Sequence, residues 1–219
     1  MRGEALQSLA VVERGAIGDR YFALKDSDGR LGSGKTTKRF RQIDGLLGFS
    51  AATEKGAVVI RFPDGRVMRA DDPTLGSILT ASCGMEIEVE SEDQDHVMHR
   101  DSAPLHLLTD ASIAWLRARL PEVAIDARRF RPNIVIATEA AGLVEQDWLG
   151  CEVAIGDQII VKAARPTVRC VMTTLPQAEL GAAPAVLRTL TEQNAASLGI
   201  YAEVLRPGVA RIGDALRFA

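Results

Sequence analysis

The chain has 219 residues, 47% of them hydrophobic and 25% charged, and 26 basic against 29 acidic side chains give a formal charge of −3. That is enough apolar material for a sizeable core, and the charge balance gives no reason to expect a nucleic-acid or anionic-membrane surface. No apolar run approaches the roughly 20 residues a membrane helix requires, and the opening MRGEALQSLAVVERG has no signal-peptide stretch, so a cytoplasmic protein is expected.

The first part of the chain, to about Glu90, reads as short strands separated by turn chemistry. Tyr21–Lys25 is strand-like and closes on Asp26-Ser27-Asp28-Gly29, residues that favour a turn. Gly29 to Thr36 then fits the G-x-x-x-x-G-K-[ST] pattern of a phosphate-binding loop. Such a loop works only when it leaves a buried strand and opens a helix, so that backbone N–H groups face the phosphates. Here an Asp-Gly turn precedes it, and Thr37 to Gln42 shows no capped, apolar-periodic helix. The segment is therefore expected to be a basic hairpin loop.

Val58–Phe62 and Arg66–Met68 flank Pro63-Asp64-Gly65, a hairpin signal in which Pro presets φ and Gly tolerates positive φ. Met85–Glu90 alternates apolar and acidic residues like a half-exposed strand. Ser91–Ser102 is polar and reads as a linker or site loop, with His99 and Asp101 as candidate proton carriers. Thr109-Asp110 precedes Ala111–Leu120, where Ile113, Leu116 and Leu120 recur at helical spacing, and either residue could cap that helix. Further strands are predicted at Asn133–Ala137, Glu152–Ile155, Ile159–Ala163, Val168–Thr173, Tyr201–Leu205 and Ala215–Phe218. A helix is predicted from Pro184 to Leu198, stopping at Gly199. Many short strands and few helices suggest a mainly β, α+β protein built as a barrel or mixed sheet.

Two stretches concentrate chemistry. In Arg129-Phe130-Arg131-Pro132-Asn133, the following proline biases Arg131 towards extended backbone, which would project its guanidinium from a strand mouth towards a phosphate. In Arg165-Pro166-Thr167-Val168-Arg169-Cys170, Arg169 and Arg165 supply positive charge to favour a Cys170 thiolate, the form that ligates a soft metal. The chain has only three cysteines. Cys83 and Cys151 are expected to be packing residues. The scattered thiols argue against a disulfide framework and exclude a four-cysteine cluster held by this chain alone.

Taken in order, RFRPNIVI, EQDWLG, IGDQIIV and RCVMTT resemble the MOSC domain. The upstream GDRYFALKD resembles the β-barrel module that accompanies it, and PLHLLTDASIAWL and the closing GDALRF resemble the start and end of the MOSC domain. The likeness is to the branch typified by the mitochondrial amidoxime-reducing component and its bacterial relatives. It implies an N-terminal β-barrel module over residues 1–90 and a MOSC-type β-barrel over 91–219. It also implies the molybdenum cofactor, with Cys170 as metal ligand and catalytic residue, and Arg20, Thr109, Ser112, Arg131, Asn133 and Arg169 around the cofactor. The activity it implies is reduction of small N-hydroxylated or N-oxide compounds, with electrons from a separate flavin or iron–sulfur partner.

One departure stands out. Relatives open with a strand ending in a Tyr-Pro-Val-Lys-Ser type motif, which has no counterpart ahead of Arg2-Gly3-Glu4, so an upstream native start is expected. The alternative function keeps the fold and uses a Cys170 persulfide for sulfur carriage or cofactor delivery. A third is a binding module without catalysis. Nothing resembles the pyridoxal-phosphate desulfurase module fused to some relatives, which argues against that cofactor.

Overall fold

The computed structural model describes residues 1–92, 99 and 102–218. It divides into two compact units that are discontinuous in sequence. The first comprises Met1–Ala5, Arg20–His99 and Leu175–Gly181; the second comprises Leu6–Asp19, Arg100–Thr174 and Ala182–Ala219. The expected division near residue 90 thus gains an exchange at the N-terminus. Strands β1 (Ser8–Val12) and β2 (Gly15–Ala16) belong to the second unit, because β1 pairs with a strand about 200 residues later.

In the first unit, β3 (Phe22–Lys25), β4 (Leu31–Ser33), β5 (Phe40–Gln42) and β9 (Glu88–Ser91) form one sheet in the order β5-β4-β3-β9. A meander of β6 (Ser50–Glu54), β7 (Ala57–Arg61) and β8 (Val67–Arg69) forms the other. Leu24, Ile43, Phe49, Ile60, Phe62, Leu75 and Leu79 share the core of this unit. The Pro-Asp-Gly hairpin is present, with Gly65 at φ +88° and its N–H donating to the Phe62 carbonyl. Helix α1 (Leu75–Cys83) is an addition to the predicted elements. Cys83 ends it packed against that core, and burial pushes its thiol up, as the packing role requires.

The glycine-rich run opens no helix. β4 lies within it and pairs in parallel with β5 beyond it, and Thr36 and Thr37 hydroxyls accept from the N–H groups of Gln42, Arg39 and Phe40. It is a hydroxyl-closed loop.

The second unit is built on β10 (Leu105–Thr109), β11 (Ile134–Ile136), β12 (Glu152–Ile155), β13 (Ile159–Val168), β14 (Ser197–Arg206) and β16 (Leu216–Phe218). They form a six-stranded half-barrel sheet in the order β11-β10-β14-β13-β12-β16, while β15 (Gly208–Arg211), β1 and β2 form a second sheet. Side chains alternate across a strand, so Leu107 enters the core shared by the two sheets and Leu108 the core beneath helices α2 (Asp110–Arg119) and α3 (Pro184–Asn194). The chain is mainly β with few helices, as expected.

Three sequence expectations change here. The two strands predicted at 159–163 and 168–173 become one strand to Val168, followed by a 3-10 turn at Val171–Thr174. Register shifts at Ala163/Arg165 and Pro166/Val168 let the strand carry Pro166, since a bulge absorbs the missing N–H donor. Helix α3 stops at Ala195, itself left-handed at φ +45°, and not at Gly199. Gly199 lies inside β14 because a Cβ there would sit 2.3 Å from His106 Nε2 and 2.7 Å from the Leu107 carbonyl oxygen. Among the described residues no helix is long and apolar enough to cross a membrane.

Candidate functional site

The end of β13 delivers Cys170. Its carbonyl accepts from the Thr173 N–H at 3.1 Å and the Thr173 hydroxyl at 3.0 Å, which fixes the turn that follows. The thiol residue is half-buried, outside the three apolar clusters of the chain. Beside it, the Arg169 N–H donates to the Ala196 carbonyl at 2.7 Å. The Arg169 guanidinium donates through Nη2 to the Phe130 carbonyl at 2.6 Å and lies 5.6 Å from the centre of the Phe130 ring. That bond is the physical link between the two stretches singled out in the sequence: it joins the residue before Cys170 to the residue before Arg131.

Arg131 corrects a local expectation. Its φ is +53°, left-handed and not extended, and its N–H reaches back to the Ala127 carbonyl at 3.2 Å. A non-glycine residue held there costs on the order of 1–3 kcal/mol, and such strain persists where surrounding structure imposes it. The imposing neighbour is the 3-10 turn Ala127–Arg129, capped by Asp126 and anchored by the buried Arg129 donating to the Ala124 carbonyl. Burial pushes the Arg129 guanidinium below its usual range. Arg20 is also left-handed, at φ +57°, and belongs to the first unit.

Asn133 is a clamp. Its N–H donates to the His106 carbonyl and its Oδ1 accepts from the His106 N–H, each at 2.9 Å, while Nδ2 donates to Asp19 Oδ2 at 2.9 Å. This fastens β11 alongside β10 in parallel, with Leu107 opposite Ile134.

Thr109 caps α2, its hydroxyl oxygen accepting from the Ser112 N–H at 3.1 Å, as one of the two candidate caps should. Thr109 and Ser112 are both fully buried, and their hydroxyls donate to Glu145 Oε2 at 2.6 and 2.8 Å. The helix N-terminus expected to receive a ligand's anion through these hydroxyls therefore holds the protein's own carboxylate. Both hydroxyls are thus committed to Glu145, where the sequence had suggested contact with a cofactor. Sequence reasoning missed Glu145, although it lies inside the EQDWLG run.

His99 sits in the first unit, buried, with Nδ1 3.0 Å from the Arg20 carbonyl and Nε2 3.2 Å from Glu90 Oε2. The other candidate proton carrier, Asp101, lies outside the described residues. Among the described residues, a cavity walled by Arg165 and Tyr201 and another walled by Lys25 and His99 include neither Cys170 nor Arg131.

The MOSC domain model matches residues 94–217, more than half of the chain. The chain belongs to the MOSC domain family. Curated relatives include mitochondrial amidoxime-reducing component 1 of Mus musculus, 31% identical over 134 residues, and its Homo sapiens counterpart, 30% identical over 134 residues. Each alignment takes in 55% of this chain and 38% of the relative, so the chain spans well under half the length of these proteins. A solved structure, YiiM from Geobacillus stearothermophilus, aligns with a TM-score of 0.40 at 21% identity, covering 53% of this chain and 54% of that one.

The residues of this MOSC chain fit the family's cofactor by the chemistry of their donor set. Among the described residues no group of three His, Cys, Asp or Glu side chains could hold a metal. The Cys170 thiolate is a soft donor of the kind that would ligate a metal also held by a pterin dithiolene. Thr167, three residues before Cys170, adds a buried hydroxyl without a hydrogen-bond partner among the described residues, a polar group that a native site ordinarily satisfies.

Proposed function

We propose that this chain is a molybdenum-cofactor-binding oxidoreductase that reduces N-hydroxylated or N-oxide compounds with electrons from a separate partner. The observation that carries the proposal is the Arg169–Phe130 bond at 2.6 Å, which ties the half-buried Cys170 to the strained Arg131 turn. The amidoxime-reducing relatives, similar over part of their length, support the substrate class.

Bound, the cofactor would supply the redox chemistry; the chain's part is ligation, orientation and charge. Cys170 holds the metal through its thiolate, and its backbone is fixed by the Thr173 bonds. Arg169 and Arg131 would supply positive charge for that thiolate and for the phosphate of a bound cofactor. The Arg131 backbone is held left-handed by the preceding turn, so its main chain is set before any ligand arrives. Asn133 holds β11 in register against β10, and Glu145 braces the N-terminus of α2 through Thr109 and Ser112.

Turnover tests this. Wild-type protein made in a molybdenum-replete host and reduced with a dithionite–viologen couple should consume an aryl amidoxime. Cys170→Ser should lose at least about a thousandfold of that rate, because the ligand and not a binding contact is removed. Equal rates for the two proteins would refute a metal-bound Cys170.

A further inference from the structure

A cavity of about 350 Å³ opens on the second unit, and its walls include Glu13, Ser102, Pro104, Arg165, Tyr201 and Glu203. Arg165 and Tyr201 are register partners across β13 and β14. The Arg165 guanidinium lies over the Tyr201 ring, 4.6 Å from its centre, and Nη2 donates to the Ser102 carbonyl at 3.1 Å and the Ser102 hydroxyl at 2.7 Å. Stacking and a single anchored nitrogen fix the plane of the cation while leaving the Nε and Nη1 hydrogens uncommitted among the described residues. A guanidinium presented in this way is preorganised for a carboxylate.

Glu13 and Glu203 line the same cavity, and among the described residues neither side chain makes a hydrogen bond or an ion pair. Opposite charges thus border one hollow without neutralising one another. Its complement is a molecule carrying both signs, with a short aliphatic body to rest on Ala103, Pro104 and Val204.

We propose that this cavity binds a small amino-acid-like zwitterion, with its carboxylate on Arg165 and its cationic nitrogen turned to Glu13 and Glu203. The site stands apart from the cofactor reading: Arg165, expected beside the Cys170 thiolate, has its guanidinium on Ser102 and Tyr201 instead, and no other group of the cavity is assigned to the metal or the pterin.

The test is titration of the purified full chain, followed by NMR, with three probes: L-lysine, cadaverine (no carboxylate) and hexanoate (no amine). L-lysine should saturate, and each of the other two should bind at least about tenfold more weakly, the loss expected for one charge-assisted contact. Arg165→Gln should bring L-lysine down to the cadaverine level without changing cadaverine. Glu203→Gln should weaken both amines, and Arg188→Gln, at an exposed arginine elsewhere, should change nothing. Equal binding of all three probes, no saturable binding, or full L-lysine affinity in Arg165→Gln overturns the proposal. If Arg165→Gln fails to fold, the three-probe comparison in wild-type protein decides alone. Cys170→Ser should bind L-lysine like the wild type, so loss of redox activity and loss of this site are told apart.

Discussion

Replacing Glu145 with alanine is expected to destabilise the second unit by about 3–5 kcal/mol. The carboxylate is fully buried and receives two hydroxyl donors, Thr109 at 2.6 Å and Ser112 at 2.8 Å. Removing it strands both O–H groups away from water, each costing about 1–3 kcal/mol, and leaves a cavity besides. The Thr109 cap is weakened with them, because the same hydroxyl oxygen accepts from the Ser112 N–H. For a unit of this size each kcal/mol moves the melting point by about 2–4 °C, so a fall on the order of 10 °C follows. Glu145→Gln should be milder, since its amide oxygen can accept both hydroxyls while its new N–H donors face the side that was Oε1, which has no partner. Calorimetry of the three proteins checks the order: wild type, then glutamine, then alanine. An alanine variant that melts with the wild type would mean that the α2 N-terminus stands without its carboxylate.

Gly199→Ala should cost nearly as much for a different reason. At φ +80° an alanine is strained by about 1–3 kcal/mol. Its Cβ would also stand 2.3 Å from His106 Nε2 and 2.7 Å from the Leu107 carbonyl oxygen, and the latter is backbone and has nowhere to go. Overpacking of that kind adds about 1–3 kcal/mol. Gly213 provides the comparison, with φ +90° and nothing within 4 Å of an added Cβ. Gly213→Ala should therefore show the strain alone. Denaturant titration should place Gly199→Ala about 3 kcal/mol or more below wild type and clearly below Gly213→Ala. Equal losses at the two positions would show that the approach of β14 to β10 is looser than these distances.

The parts of the fold legible in the sequence are those whose cause is local. Pro63-Asp64-Gly65 makes its own turn, and Gly156-Asp157 joins β12 to β13 as its residues suggest. Thr109 caps α2 with its own side chain. Where a partner far along the chain decides, sequence reasoning failed. Gly199 resembles a helix stop, yet the requirement at that point is room for His106, 93 residues earlier in number. Pro132 argues for an extended Arg131, and the Asp126-capped turn overrides it. β1 pairs locally with β2, but its other edge is taken by β15 at the far end of the chain.

The candidate site divides along the same line. Ordered motifs single out Cys170, Arg131 and Asn133, and the Arg169–Phe130 bond does join the stretches of the first two, while the Asn133 side chain is committed to His106 and Asp19. Glu145 was not singled out: its donors are 36 and 33 residues away, and an acidic side chain in a polar stretch reads as solvated. Thr109 and Ser112 were placed at the correct helix end for their chemistry, but the anion they serve is internal.

Metal content of the purified protein tests the central claim most directly. Elemental analysis should find molybdenum bound stoichiometrically in wild type and in Cys83→Ser, whose thiol packs in the first unit's core, and should find it lost from Cys170→Ser. Molybdenum retained in full by Cys170→Ser would contradict the account.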